Sequence, residues 1–305
     1  MKRKITHLLL AVLLFFTSTS LFSQDREWMT SLDLAKILAR RQNKMILMVW
    51  EESTKYPLPV TLRDEQGSLV YIDDLFKATE LNDILWNYFI PVKVNDNMYG
   101  DLFAEVDGNR TQRYITMFQD DSVKVMDANG NLIVVSGVVT PEYLYLGKLI
   151  NKYSLNTTFV SQELDNYANK KDFFSAFFLA SKYVDFSVYL KKDVRKDIVK
   201  LSSIYIQEAQ KMLNDVEPER RQTLQHRIDL FPFKQDLVLG KAKKVLRKLE
   251  KMDTVQYKET TNAELAFLYY TAYLILKDEK RAETWKSQVS SVNLKKADLI
   301  ANINK

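Results

Sequence analysis

Apolar residues along this chain follow three successive patterns, and each predicts a different kind of segment. First comes an unbroken apolar run of nine residues from Leu8 to Phe16, preceded by Lys2, Arg3 and Lys4 and followed by small residues from Thr17 to Ser23. A basic start, an apolar centre and a small-residue end predict a secretory signal peptide over residues 1–23, cleaved before Gln24. Nine apolar residues fall short of the roughly 20 that a membrane-spanning helix needs. No later run approaches that length, so the mature chain is expected to be exported and soluble, with no integral membrane segment.

From residue 24 to about 155 helical and strand periods alternate. Thr30 and Asp33 match a capping box, and Leu34, Ile37 and Leu38 recur at helical spacing, which predicts a helix from about Ser31 to Gln42. The run Lys44 to Trp50 reads as a strand. Residues 78–89 predict a second helix, with Leu81, Ile84, Leu85 and Tyr88 on one face, running straight into a strand over Ile90 to Asn95. Val123 to Asp127 and Asn131 to Gly137 flank Asn129-Gly130, a strong hairpin signal, and Pro141 opens a last helix through about Lys152. Between these, Pro57 and Pro59 forbid an uninterrupted helix. Val60 to Arg63 and Ser68 to Ile72, around Asp64-Glu65-Gln66-Gly67, instead predict a hairpin with Val60 and Leu62 facing Leu69 or Tyr71.

From about Thr157 the pattern is helical throughout. Apolar residues keep a 3.6 period in segments near 158–169, 172–186, 190–214, 218–229, 235–252, 261–276, 279–290 and 293–303, with Pro218 and Pro232 as punctuation. The fold class expected is an α/β domain over 24–155 followed by an all-α, repeat-like domain over 157–305 that folds as a stack of its own. Its many aromatics follow helical spacing and are read as core.

The first of these segments resembles a family. Helix, strand, helix, strand, hairpin and helix in that order, with Trp50-Glu51-Glu52-Ser53-Thr54-Lys55-Tyr56 after the first strand and Phe89-Ile90-Pro91-Val92-Lys93-Val94-Asn95 at the second, resembles exported bacterial thioredoxin-like proteins. The resemblance implies a redox loop after Trp50 of the form Trp-Cys-x-x-Cys, and a proline held cis just before the strand that begins at Val123. This chain has no cysteine at all, and Asp121 or Ser122 stands where the proline would be. Thiol chemistry is thereby excluded, since the attacking group is a thiolate. Lys171 to Tyr183, and Ala263 to Tyr273 followed by Asp278 to Ala282, resemble tetratricopeptide-type helices.

Charge and side-chain chemistry narrow the reading further. The formal charge is +5, of which Lys2, Arg3 and Lys4 supply three, so the segment after residue 23 is near neutral at +2 and no nucleic-acid partner is expected. His226 is the only histidine after residue 23 and reads as a surface residue in a polar helix. Zinc ligands are lacking, the Asp127-x-Asn129-Gly130 spacing fails as a calcium loop because Val125 would hold its first position, and the seven glycines form no phosphate-binding loop. No catalytic residue, cofactor or metal ligand is therefore assigned, and no enzyme is expected. Glu51 and Glu52, near Asp120 and Asp121 if the family's fold holds, form a candidate acidic cleft. Leu62 and Tyr71 on the inserted hairpin are candidates for docking a partner strand. Lys244 and Lys248 belong to a basic face with Lys241, Lys243, Arg247 and Lys251 that suits either an anionic surface or plain solvent. Asp121-Ser122-Val123 and Asp253-Thr254-Val255 match a three-residue acceptor motif of bacterial periplasmic O-glycosylation. The expectation is a non-redox binding or scaffold protein of the bacterial envelope, periplasmic or extracellular, that engages an envelope protein. The alternative is a thiol-independent chaperone or envelope enzyme using the acidic cleft.

Overall fold

The computed structural model describes residues 26–64, 66–135, 143–252 and 255–305. The signal-peptide reading and the positions of Pro141 and Thr254 lie outside them. The chain is a mixed α/β structure with two small sheets and many helices.

The first helix, α1 (Leu32–Gln42), starts one residue later than expected and is capped by Ser31, whose Oγ accepts from Leu34 N at 3.3 Å. Asn43 ends it in the left-handed conformation (φ 54°) and closes on Ala39 O and Arg40 O. Of the apolar residues at helical spacing, Leu34 and Ile37 are 57% and 49% exposed and Leu38 is partly buried against the core, while Leu32, Ala35 and Ala39 are buried. Two alanines facing the sheet let the helix approach closely, a signal that counting large apolar residues overlooks.

Strand β1 (Met45–Trp50) follows and is buried from Met45 to Val49. The short 3₁₀ helix Glu51–Lys55 leads into β2 (Val60–Arg63) and β3 (Leu69–Ile72), then α2 (Glu80–Tyr88) runs directly into β4 (Phe89–Val94), as its sequence predicts. Two helices that periodicity did not reveal come next, α3 (Asp96–Val106) and α4 (Gln112–Gln119). Their caps are regular: Asn95 Oδ1 accepts from Met98 N at 3.0 Å and Thr111 Oγ1 from Tyr114 N at 3.4 Å. Strands β5 (Lys124–Met126) and β6 (Leu132–Val135) complete a sheet ordered β4-β1-β5-β6, with β4 parallel to β1 and β5 antiparallel to both β1 and β6.

The inserted hairpin belongs to a second sheet, ordered β3-β2-β7, in which β7 (Leu144–Tyr145) runs parallel to β2 and precedes α5 (Leu146–Tyr153). Its register differs by one residue from the expected pairing. Leu62 lies opposite Val70 and Arg63 opposite Leu69. The turn sets this: Asp64 N donates to Ser68 O at 3.0 Å, and Asp64 Oδ1 accepts from Gln66 N and Ser68 N.

Among the described residues eight helices follow: α6 (Ser161–Asn169), α7 (Phe173–Ser187), α8 (Lys192–Lys211), α9 (Pro218–Val238), α10 (Ala242–Leu249), α11 (Val255–Ile275, kinked at Thr261), α12 (Glu279–Lys286) and α13 (Ser291–Asn302). Pro218 opens α9 at its first turn, but Pro232 lies inside that helix instead of ending it. Buried Phe231 and Phe233 on either side outweigh the lost backbone hydrogen bond.

The helices close over the sheet through α7 and α8, and the junction is polar at its centre. Asp127, fully buried in the β5–β6 turn, accepts four hydrogen bonds. Oδ1 takes Asn129 N and Asn131 N at 3.0 and 2.9 Å, and Oδ2 takes the hydroxyls of Tyr183 of α7, at 3.0 Å, and of Tyr205 of α8. The Asp127-x-Asn129-Gly130 turn thus pins the sheet to the helices. Beside it, Glu208 accepts from Arg110 and from the Tyr167 hydroxyl, and Arg110 also donates to Asn131 Oδ1 at 3.0 Å.

Asp127→Ala would leave two backbone donors and two tyrosine hydroxyls buried without an acceptor. The expected loss is about 3–5 kcal/mol of unfolding free energy, the usual result of stripping one partner from a buried charged network. Asp127→Asn keeps an acceptor for the turn and should lose less than half as much. Urea titrations of both variants check the order, and equal losses would show that the acceptor retained by asparagine does not matter.

Candidate functional site

The C-terminal ends of parallel strands β1 and β4 open onto a cleft of about 840 Å³, lined by Trp50, Glu52, Ser53, Lys55, Tyr56, Pro57, Leu58, Phe76 and the turn Asp120–Ser122. Ligands favour this end of open α/β sheets because strand ends and loop side chains converge there. Behind Trp50, on the cleft lining, runs an aromatic ladder. Trp50 stacks on Tyr99 and Tyr99 on Phe118, each at 5.0 Å between ring centres. The Trp50 indole donates to Asp96 Oδ1 at 2.8 Å and the Tyr99 hydroxyl to Phe118 O at 2.7 Å. Burial, with help from Asp121 and Asp120, pushes the Tyr99 hydroxyl up to about 12, so it stays a donor.

The 3₁₀ turn after Trp50 spends its hydroxyls on itself: Ser53 Oγ donates to Trp50 O and Thr54 Oγ1 to Glu51 O, both at 2.7 Å. Glu52 pairs with Lys55, and this hydrogen bond is the main reason the lysine's pKa is raised. On the facing wall Asp120 Oδ1 accepts from Ser122 N at 2.9 Å and from the Ser122 hydroxyl. Asp74 anchors the lip, accepting from Leu58 N and Phe76 N at 3.3 and 3.1 Å. Tyr56, at 76% exposed, stands open at the rim.

Beneath the facing wall lies Lys124, fully buried. Its ammonium donates to Asp120 O and, at 3.2 Å, to Ser122 O, and lies 5.9 Å from the Tyr99 ring centre. Burial pulls its pKa down to about 8 against the opposing charges of Asp120 and Asp121. Strand alternation gives no warning of this residue, because a lysine between two valines reads as the solvent side.

Of the candidates drawn from the sequence, only Glu52 meets Asp120 and Asp121 in the cleft. Glu51 points away and is exposed. Leu62 is half-buried on the middle strand of the second sheet, where β3 and β7 take both edges of β2. Thr61 beside it is 2% exposed, and β7 pairs with Val60 and Thr61. Tyr71, 56% exposed, lies on β3, the outer strand of that sheet. Lys244 is spent on Asp236 at 2.8 Å, together with Lys241 at 3.0 Å. Burial pushes the Asp236 carboxyl up, and the hydrogen bonds from the two lysines outweigh that and hold it low. Lys248 lies over Phe233, 6.0 Å from its ring centre. His226 is not at the surface: it is 6% exposed, 4.4 Å from the Tyr257 ring centre, because α11 covers that face of α9.

Compared with protein-family models, with curated proteins and with solved structures, the chain matches none. Among the described residues no helix is long and apolar enough to cross a membrane.

The lowered pKa of Lys124 fixes a pH dependence. The folded chain holds that proton less tightly than the unfolded chain, whose lysines titrate near 10.4. Its contribution to stability is therefore full above about pH 10.4 and is lost as pH falls through about 8. Unfolding free energies of the natural protein minus those of Lys124→Met should rise between about pH 7 and about pH 10.5. A flat difference would mean that Lys124 titrates as an ordinary surface lysine.

Proposed function

We propose that this chain is a non-redox, thioredoxin-like binding or scaffold protein of the bacterial envelope, with the helices α6–α13 extending the interaction surface. The observation that carries this reading is the cleft itself. A sheet ordered β4-β1-β5-β6, with β5 reversed, ends in a turn after Trp50 and faces a turn before β5. In a thioredoxin-like protein those two turns hold the thiols and the cis proline that engage an extended peptide. Here they carry Glu52, Ser53, Lys55, Asp120, Asp121 and Ser122, together with the exposed ring of Tyr56. Such a lining offers hydrogen bonds, charge of both signs and aromatic contact, which suit recognition, and offers no thiolate. Paired helices such as α7 with α8 and α11 with α12 support the likeness of the C-terminal part to a helical repeat. Export rests on residues 1–23 alone.

A thiol-independent chaperone or an envelope enzyme is the second reading, favoured by the breadth of the cleft and by the three carboxylates, Glu52, Asp120 and Asp121, on its lining. Glu52 is already matched by Lys55, and Asp120 holds its own turn, so Asp121 alone is left uncommitted among them.

A photoreactive side chain placed in living cells at Tyr56 or Tyr71, compared with Lys244 or Lys248, tests the assignment. Discrete adducts of one mass from Tyr56 are expected, and adducts from the α10 positions alone would overturn it. In an insulin-reduction assay the purified protein should match the protein-free control, and any turnover above it would refute a non-redox role.

A further inference from the structure

A second concavity lies apart from the cleft, where α4 and β6 meet α8. It measures about 300 Å³, at the lower end of the about 300–1,000 Å³ typical of small-molecule pockets. Its floor is apolar: Tyr114, Met117, Leu132, Ile133, Leu201 and Ile204. Around the mouth stand Arg110, Arg113 and Lys200, and among the described residues no carboxylate lines it. Two of these cations are already committed, Arg110 to Glu208 and Lys200 to Asp197 at 2.9 Å. Arg113 is exposed and makes no ion pair or hydrogen bond among the described residues.

We propose that this crevice binds a small amphipathic anion, a single-chain carboxylate of the decanoate kind. The apolar tail lies against Met117, Leu201 and Ile204, and the carboxylate meets the Arg113 guanidinium. Charge complementarity selects this occupant. A cationic amphiphile would bring its head group against the Arg113 guanidinium, the one of the three cations with no ion pair among the described residues, and a neutral one would gain no charge-assisted contact there. The narrow volume admits one chain or one ring and excludes a peptide. The floor is also firmly held: the Tyr114 hydroxyl accepts from Leu132 N at 2.9 Å and is pushed up to about 12 by burial, so the wall is preformed and neutral.

Isothermal titration of the full chain with decanoate, below the concentration at which it forms micelles, tests the proposal against decyltrimethylammonium and decanol of the same chain length. One saturable site is expected for decanoate, with the ammonium giving no binding. Arg113→Glu, at an exposed position, should weaken decanoate by about tenfold or more, the scale of one charge-assisted contact. Met117→Trp should fill the crevice and abolish binding, with unchanged circular dichroism confirming that the chain is folded. Absence of saturable decanoate binding, equal affinity for the ammonium, or decanoate binding unchanged in both variants would overturn the assignment.

Discussion

A single buried carboxylate holds the two halves of this chain in register. Asp127 sits at zero exposure with no cation against it, and its four acceptor directions are met by two backbone amides and two tyrosine hydroxyls from different helices. Burial alone pushes its carboxyl up, and those hydrogen bonds, Tyr205 first, work against the shift. Tyr183 and Tyr205 are themselves pushed well above the ordinary phenol value, by burial and by the Asp127 charge. Such a network tolerates no slack, because any movement of α7 or α8 off the β5–β6 turn strands polar groups away from water. Glu208 and Arg110 repeat the device one turn along α8, tying it to Asn131 and, through Tyr167, to α6.

What that junction fixes, the two concavities inherit. Pinning the β5–β6 turn sets the start of β6, and with it Leu132 and Ile133 on the floor of the crevice. It also sets β5, whose first residue, Lys124, holds the carbonyls of the turn facing the cleft. Helix α4 stands between the two: Tyr114 and Met117 line the crevice, and Phe118, one turn on from Tyr114, ends the aromatic ladder behind Trp50. A displacement of α4 is therefore felt on both sides through packed rings, since close-packed interiors transmit small shifts without absorbing them.

Much of the architecture is legible in the residues, and the exceptions share a cause. The run of α2 into β4, the Asn129-Gly130 hairpin and the eight C-terminal helices follow from period and turn chemistry, which are local. Helices α3 and α4 escape because a mid-helix Gly100 and a short, mixed apolar stripe blur the period, although Asn95 and Thr111 mark their starts. The inward face of α1 depends on Ala35 and Ala39, small residues that acquire meaning only against a sheet. The burial of Lys124, His226 and Asp127 is not legible in the local sequence, and all three are buried. In the site, the meeting of Glu52 with Asp120 and Asp121 is readable from the strand order that the residues imply. Where Glu51 stands, which strands flank Leu62 and which carboxylate pairs with Lys244 are not readable, because turn geometry, a third strand and Asp236 decide them.

A chain without cysteine needs another means of fastening many short helices, and carboxylate hubs supply it. Asp185 on α7 receives Lys234 of α9 at 3.1 Å and Lys296 of α13 at 2.6 Å, joining three helices that are far apart in sequence. Burial raises the Asp185 carboxyl, but the two lysines outweigh it and hold it below the ordinary value. Asp236 does the same work between α9 and the start of α10. Arg195 is the cationic counterpart: its guanidinium donates to Ser187 O, Leu190 O and Ile303 O, binding the end of α7 to the end of the chain. Each hub joins groups that apolar packing alone would let slide, because one leucine face fits another in several registers but a buried charge has only one set of partners. On the basic face of α10 part of the charge is used in the same way, since Lys241 and Lys244 hold the start of the helix to Asp236.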